Sequence, residues 1–198
     1  MMESSASSTS SASEVWSESY TRLDQVSEEN REGEPRDMNE IISDFGELIL
    51  SRKLGEGMGI STGFSVIDKL TLGLHPGKLH LIAARPGMGK SVLAQNISQH
   101  AAMRDSKNVL FYSLEMSEME VLERLCASES GVPHKVIRGG GMTVRDRSAV
   151  ESALLRLEAS GLMIDDTASI GINDIIQRSR RLKQSRQIDM VVVDYLGL

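Results

Sequence analysis

The chain has a single cysteine, Cys126, in 198 residues. That excludes an internal disulfide and a cysteine-based zinc site, and suits a reducing cytosol. No apolar run reaches the roughly 18 residues that a membrane-spanning helix needs. The Ser- and Glu-rich start also lacks the basic-then-apolar order of a secretory leader. Both absences point to a cytoplasmic protein with no membrane partner. Positive charge is not in excess either. The formal net charge is −6, which taken whole argues against a nucleic-acid partner.

The charge is unevenly distributed. Residues 1–36 hold eight acids and three Arg, and the remaining residues are nearly neutral. Nine Ser fall in the first 20 positions, with little apolar content between them. Such a stretch cannot bury enough surface to offset chain entropy and reads as a disordered tail. The total of −6 is thus mainly a property of the tail, and says little about DNA. Residues 37–58 read as a helix and a Gly-rich connection. Met38, Ile41, Ile42, Phe45, Leu48 and Ile49 recur at helical spacing, and Gly55, Gly57 and Gly59 follow. This apolar stripe fits either packing on its own domain or docking on a neighbouring subunit.

From Gly59 to Leu198, strand and helix signals alternate. The apolar run Leu79–Ala84 reads as a strand, followed by a Gly/Pro turn and a helix facing inward through Leu93, Ile97 and Ala101. Residues 108–114 (NVLFYSL) read as a strand. Ser117 and Glu120 form a capping box for a helix burying Met119, Leu122, Leu125 and Cys126. Thr143 caps another, with Val150, Ala153, Leu154 and Leu157 inward and Gly161 as its stop. Residues 162–164 read as a brief strand, 175–183 as a basic helix and 190–193 (MVVV) as a fully buried strand. Apolar strands separated by helices predict an α/β fold, a parallel sheet covered on both faces.

The most specific motif is ARPGMGKS, residues 84–91. It matches the phosphate-binding loop G-x-x-x-x-G-K-[ST], except that Ala84 replaces the first glycine. In such a loop Arg85, Pro86, Gly87, Met88 and Gly89 wrap the backbone so that amides point inward at phosphate. The following helix adds its positive end. Lys90 would reach the β and γ phosphates, and Ser91 would hold Mg²⁺. Asp194, ending an apolar strand, fits the second Mg²⁺-side carboxylate (Walker B) at the C-terminal sheet edge. Glu115, directly after the strand 108–114, is the candidate for positioning and deprotonating the attacking water. On local grounds it fits a first-turn helix residue equally well. Arg178, Arg180, Arg181, Lys183 and Arg186 form a basic run, read either as a DNA or subunit contact or as a solvated helix face. The four His (75, 80, 100 and 134) show no metal-ligand spacing.

Residues 59–198 resemble the ATPase domain of DnaB-type replicative helicases, a RecA-like P-loop motor. The matching stretches are GISTGFSVIDKL with GL and PG (59–79), ARPGMGKS (84–91), SLEMS (113–117), IDDT (164–167), RRLK (180–183) and VVVDYL (191–196). SLEMS separates this family best from RadA-type and clock-type RecA relatives. The resemblance implies a hexamer that hydrolyses Mg-ATP between subunits and moves along single-stranded DNA, with primase or loader proteins as partners. It implies Glu115 as catalytic carboxylate, Lys90 and Ser91 on phosphate and Mg²⁺, Asp194 in the Walker-B role, and residues 38–50 as a linker helix on the adjacent subunit. Two residues depart from the family's pattern: Gly197 stands where Gln is usual, and Leu72 where Gly is usual. The resemblance covers the first half to two-thirds of the motor, because the chain stops four residues after Asp194. In the family, the DNA loops and arginine finger lie beyond that point, so the isolated chain is expected to be a weak ATPase. An alternative from another class is a P-loop interaction module that joins a helicase or recombinase ring without being a motor.

Overall fold

The structure, a computed structural model, describes residues 35–51 and 59–195. The Ser-rich tail up to residue 34, the connection 52–58 and Gly197 lie outside them. Contacts divide the chain into two units, with the boundary between Lys53 and Leu54.

The first unit contributes helix α1, Met38–Ser51. Its stripe of Met38, Ile41, Ile42, Phe45, Leu48 and Ile49 is exposed to between 42% and 63%. Helical spacing has gathered six apolar side chains onto one solvent-accessible face. Arg36 reaches over the first turns to Asp44 at 2.6 Å.

The second unit runs α2 (Ser65–Thr71), α3 (Lys90–Met103), β1 (Val109–Ser113), α4 (Glu118–Ser130), α5 (His134–Gly139), α6 (Val144–Glu158), β2 (Leu162–Asp165), α7 (Ile172–Arg186) and β3 (Met190–Asp194). The three strands form a parallel sheet in the order β2-β1-β3. The central strand β1 is buried along its whole length. Its period-2 alternation serves two cores. Phe111 packs with Ala94, Val121 and Leu125 on one face. Leu110 and Tyr112 pack with Ile175 and Ile188 on the other. Burying one such side chain stabilises by about 1.5–3 kcal/mol. The parallel α/β sheet covered on both faces is therefore present as expected.

Both capping boxes form. Ser117 Oγ accepts from the amide of Glu120, and Thr143 Oγ1 from that of Asp146, with the reciprocal carboxylate bonds in place. Other expectations are corrected. Leu79–Ala84 forms no strand, and Leu79 and Leu81 are almost fully exposed. An apolar run becomes a strand only beside a neighbour that completes its ladder, and β3 has β1 as its single partner among the described residues. For the same reason β3 is only partly buried, with Val191 exposed. In α4 the inward stripe is Val121, Leu125 and Cys126, while Met119 faces solvent in the first turn. In α6 Leu154 is exposed and Ala153 is the buried residue. Helix α6 ends at Glu158 with Ala159 as its C-cap, not at Gly161. Gly161 serves close approach instead: a Cβ there would lie 2.6 Å from the Lys107 carbonyl. Its own carbonyl accepts from Val109 N at 2.9 Å, starting the β1–β2 alignment.

The entry segment is held by one carboxylate. Asp68 accepts from Ser61 Oγ at 2.7 Å, Thr62 N at 2.8 Å and Thr62 Oγ1 at 2.7 Å. Burial alone would raise its pKa, but these hydrogen bonds, aided by His100, hold it below the ordinary carboxylate value. Leu72 then ends α2 in the left-handed region, φ 57° and ψ 31°. A side chain with a Cβ is strained there, and Leu72 is more than half exposed, so packing returns little. Leu72→Gly is expected to raise stability by about 0.5–1 kcal/mol, net of glycine's entropy. Thermal unfolding should show a rise of about 2 °C, and a lowered midpoint would refute the strain.

Candidate nucleotide site

The ARPGMGKS loop lies between the irregular segment 79–84 and α3. Gly87 and Gly89 adopt φ +77° and +88°, which a residue with a Cβ tolerates poorly. Arg85 and Met88 close the turn through a 3.2 Å backbone bond from Met88 N to Arg85 O. Arg85, Pro86 and Met88 are all exposed. Gly89 is the N-cap of α3 and so brings no side chain to its first amides. Those amides and the positive helix end suit an anion.

Lys90, the first residue of α3, extends to the end of β3. Its Nζ lies 3.6 Å from Asp194 Oδ1 and 3.4 Å from the centroid of the Tyr195 ring. Ser91 follows in the first helical turn, half-buried. Asp194 is buried, its side chain 2% exposed. Its Oδ2 is buried with no hydrogen-bond partner. An orphaned carboxylate oxygen is costly in a protein interior. It is also the chemistry a Mg²⁺ shell needs, and the hydroxyl of Ser91 supplies a second hard oxygen donor.

Strands β1 and β3 end in register, with Ser113 opposite Asp194. Leu114 N donates to the Asp194 carbonyl at 2.8 Å, tying the start of the SLEMS loop to the end of β3. Ser113 Oγ donates to the Met116 carbonyl at 2.6 Å, folding that loop back on itself. Glu115 sits at its tip, exposed. Among the described residues no hydrogen bond or ion pair joins Glu115 to Lys90 or Asp194. The structure thus brings Lys90 and Asp194 into contact and carries Glu115 on the adjacent strand end.

Sequence reasoning missed the Tyr195 ring against Lys90 and the Ser113 hydroxyl under the SLEMS loop. The Lys90–Tyr195 contact could not be found from spacing, because it joins segments far apart in the chain, whereas the Ser113 bond is local and closes within three residues. The basic run is also not uniform. Arg178 Nη1 donates to Asp165 Oδ2 and to Thr167 Oγ1, both at 2.9 Å, whereas Arg180, Arg181 and Lys183 are exposed.

A glycine-wrapped loop opening a helix, with its lysine beside a carboxylate at the C-terminal edge of a parallel sheet, is the arrangement of P-loop folds. The chain belongs to the DnaB-like helicase C-terminal domain family, whose model matches residues 59–198. It is 35% identical over 183 residues to the replicative DNA helicase DnaB of Geobacillus stearothermophilus, covering 91% of this chain and 40% of that protein. To the replicative DNA helicase DnaB of Leifsonia xyli subsp. xyli it is 39% identical over 146 residues, covering 74% of this chain and 32% of that protein. A solved DnaB-like replicative helicase, described with its interactions with primase, superimposes with TM-score 0.73 at 26% identity, covering 81% of this chain and 40% of that one. The chain therefore spans well under half the length of these relatives. Among the described residues, no helix is long and apolar enough to cross a membrane.

Proposed function

We propose that this chain is the nucleotide-binding part of a replicative DNA helicase motor that hydrolyses Mg-ATP and moves along single-stranded DNA. The observation that carries the reading is the 3.6 Å approach of Lys90 to Asp194, whose second carboxylate oxygen is buried without a partner. On this reading Arg85, Pro86, Gly87, Met88 and Gly89 shape the cradle, and their backbone amides bind phosphate. Lys90 moves from Asp194 onto the β and γ phosphates. Ser91 and Asp194 hold Mg²⁺, which when bound neutralises charge developing on the phosphates. Glu115 orients the attacking water and accepts its proton.

The same reading divides the chain into a tail (1–36), a linker helix with its connection (37–58) and the ATPase core (59–198). The exposed stripe of α1 suits docking on a neighbouring copy, in keeping with a hexamer. Single-stranded DNA, with primase or loader proteins, would be the partners of the assembled ring.

The test is a titration with a fluorescent ATP analogue, with and without Mg²⁺. Wild-type protein should bind about 10-fold more tightly with Mg²⁺, and Asp194→Asn should lose most of that gain. Equal affinity with and without the metal would remove Asp194 from metal binding. No binding at all would overturn the nucleotide site.

A further inference from the structure

The acidic pair of IDDT and Arg178 of the basic run lie outside the nucleotide cradle, yet they form one built turn at the end of β2. Asp165 Oδ1 accepts from Thr167 N at 3.0 Å and from Thr167 Oγ1 at 2.6 Å. Its Oδ2 takes Arg178 Nη1 at 2.9 Å, and the same nitrogen also donates to Thr167 Oγ1. Burial alone would raise the Asp165 pKa, but Thr167 and Arg178 together hold it below the ordinary carboxylate value. The hydrogen bonds of Asp165 to Thr167 and Arg178 thus brace the turn. Asp166 lies between the two braced residues. Its Oδ2 accepts from Glu118 N, the first amide of α4, at 2.9 Å.

That bond lands three residues after Glu115. On the other side, the SLEMS loop is held by Leu114 N on the Asp194 carbonyl and by Ser113 Oγ on the Met116 carbonyl. The loop is thus anchored to β3 at its start and to β2 at its exit, with Glu115 between the anchors. Among the described residues, Asp166 is the side chain from outside the loop and its own capping box that hydrogen-bonds the α4 N-terminus.

We propose that Asp166 is a positioning residue for Glu115: by fixing the α4 N-terminus to the end of β2, it sets where the Glu115 carboxylate stands over the nucleotide. The proposal rests on the reading of Glu115 as the hydrolytic base. A misplacement of about 1 Å in such a group costs on the order of 10²-fold in rate. Uniform nucleotide binding through the P-loop should not change.

The experiment compares Asp166→Ala, Asp166→Asn and Glu115→Gln in the assembled, nucleotide-hydrolysing protein. Asp166→Ala is expected to lower kcat by about 10–100-fold, with KM for Mg-ATP within about twofold. Asp166→Asn keeps an acceptor oxygen and should recover kcat to within about threefold of wild type. Hydrogen exchange on the full chain should show faster exchange at the Glu118 amide in the alanine variant, with β1 and β3 amides still protected. Unchanged kcat in Asp166→Ala, or a rise in KM with no loss of kcat, overturns the proposal. So does a failure of Asn to recover what Ala loses. Wild-type turnover in Glu115→Gln would instead overturn the reading of Glu115, whatever Asp166 does.

Discussion

Lys90→Ala is expected to lower nucleotide turnover by about 10²–10³-fold, the usual cost of removing one charged donor from a developing phosphoryl charge. Mg-ATP affinity should fall with it, because on the proposed reading Lys90 reaches phosphate in the ground state as well. The variant also deprives Asp194 of its nearby cation at a site where that carboxylate is buried. A modest loss of stability is therefore expected alongside. Lys90→Arg separates the two effects. It restores a positive charge near Asp194, but its planar fork does not reproduce a compact ammonium on phosphate. Thermal unfolding should recover in the arginine variant while turnover stays low. Tight Mg-ATP binding by Lys90→Ala would refute the P-loop assignment.

Glu115→Gln should behave differently. The amide matches the carboxylate in size and still accepts a hydrogen bond, but it cannot take a proton at neutral pH. Turnover is expected to drop by about 10²–10⁴-fold, the range contributed by a positioned general base. Nucleotide affinity should stay within about threefold of wild type, since Glu115 is exposed and, among the described residues, no hydrogen bond or ion pair joins it to Lys90 or Asp194. Single-turnover hydrolysis measured beside nucleotide binding distinguishes the cases. Loss of binding in this variant would assign Glu115 to the cradle, and an unchanged rate would remove it from the chemistry.

How much was legible in advance depends on how local each feature is. The helix starts at Ser117 and Thr143 were readable because a capping box closes within four residues. Glycines 87 and 89 were readable because a left-handed loop requires that residue type. The strand β1 was readable because a run of β-branched and aromatic residues buries well on both faces. Leu79–Ala84 misled because its apolar content matches a strand, while strand formation depends on a neighbouring ladder elsewhere in the chain. Met119 misled for a related reason: helical spacing gives the stripe, but which side turns inward depends on where α4 begins at the sheet edge. Leu72 marks the reverse case. It stood out as a departure from the family's glycine, and its left-handed backbone gives that departure a physical cost.

The candidate site divides along the same line. The identities of Lys90, Ser91, Glu115 and Asp194 came from motif and position in the chain, since phosphate, metal and proton chemistry each demand particular side chains. The contact of Lys90 with Asp194 and the placement of the Glu115 loop beside the end of β3 did not, because they require pairings between distant segments. The orphaned Asp194 oxygen, the Tyr195 ring over Lys90 and the Asp166 anchor are all products of such pairings. By itself the sequence determined the fold class and the family and nominated residues 84–91 as a phosphate loop, because local spacing and residue chemistry carry those. Only the tertiary structure decided which apolar runs become strands and what braces the Glu115 loop, because hydrogen bonds between distant segments exist only once the sheet has formed.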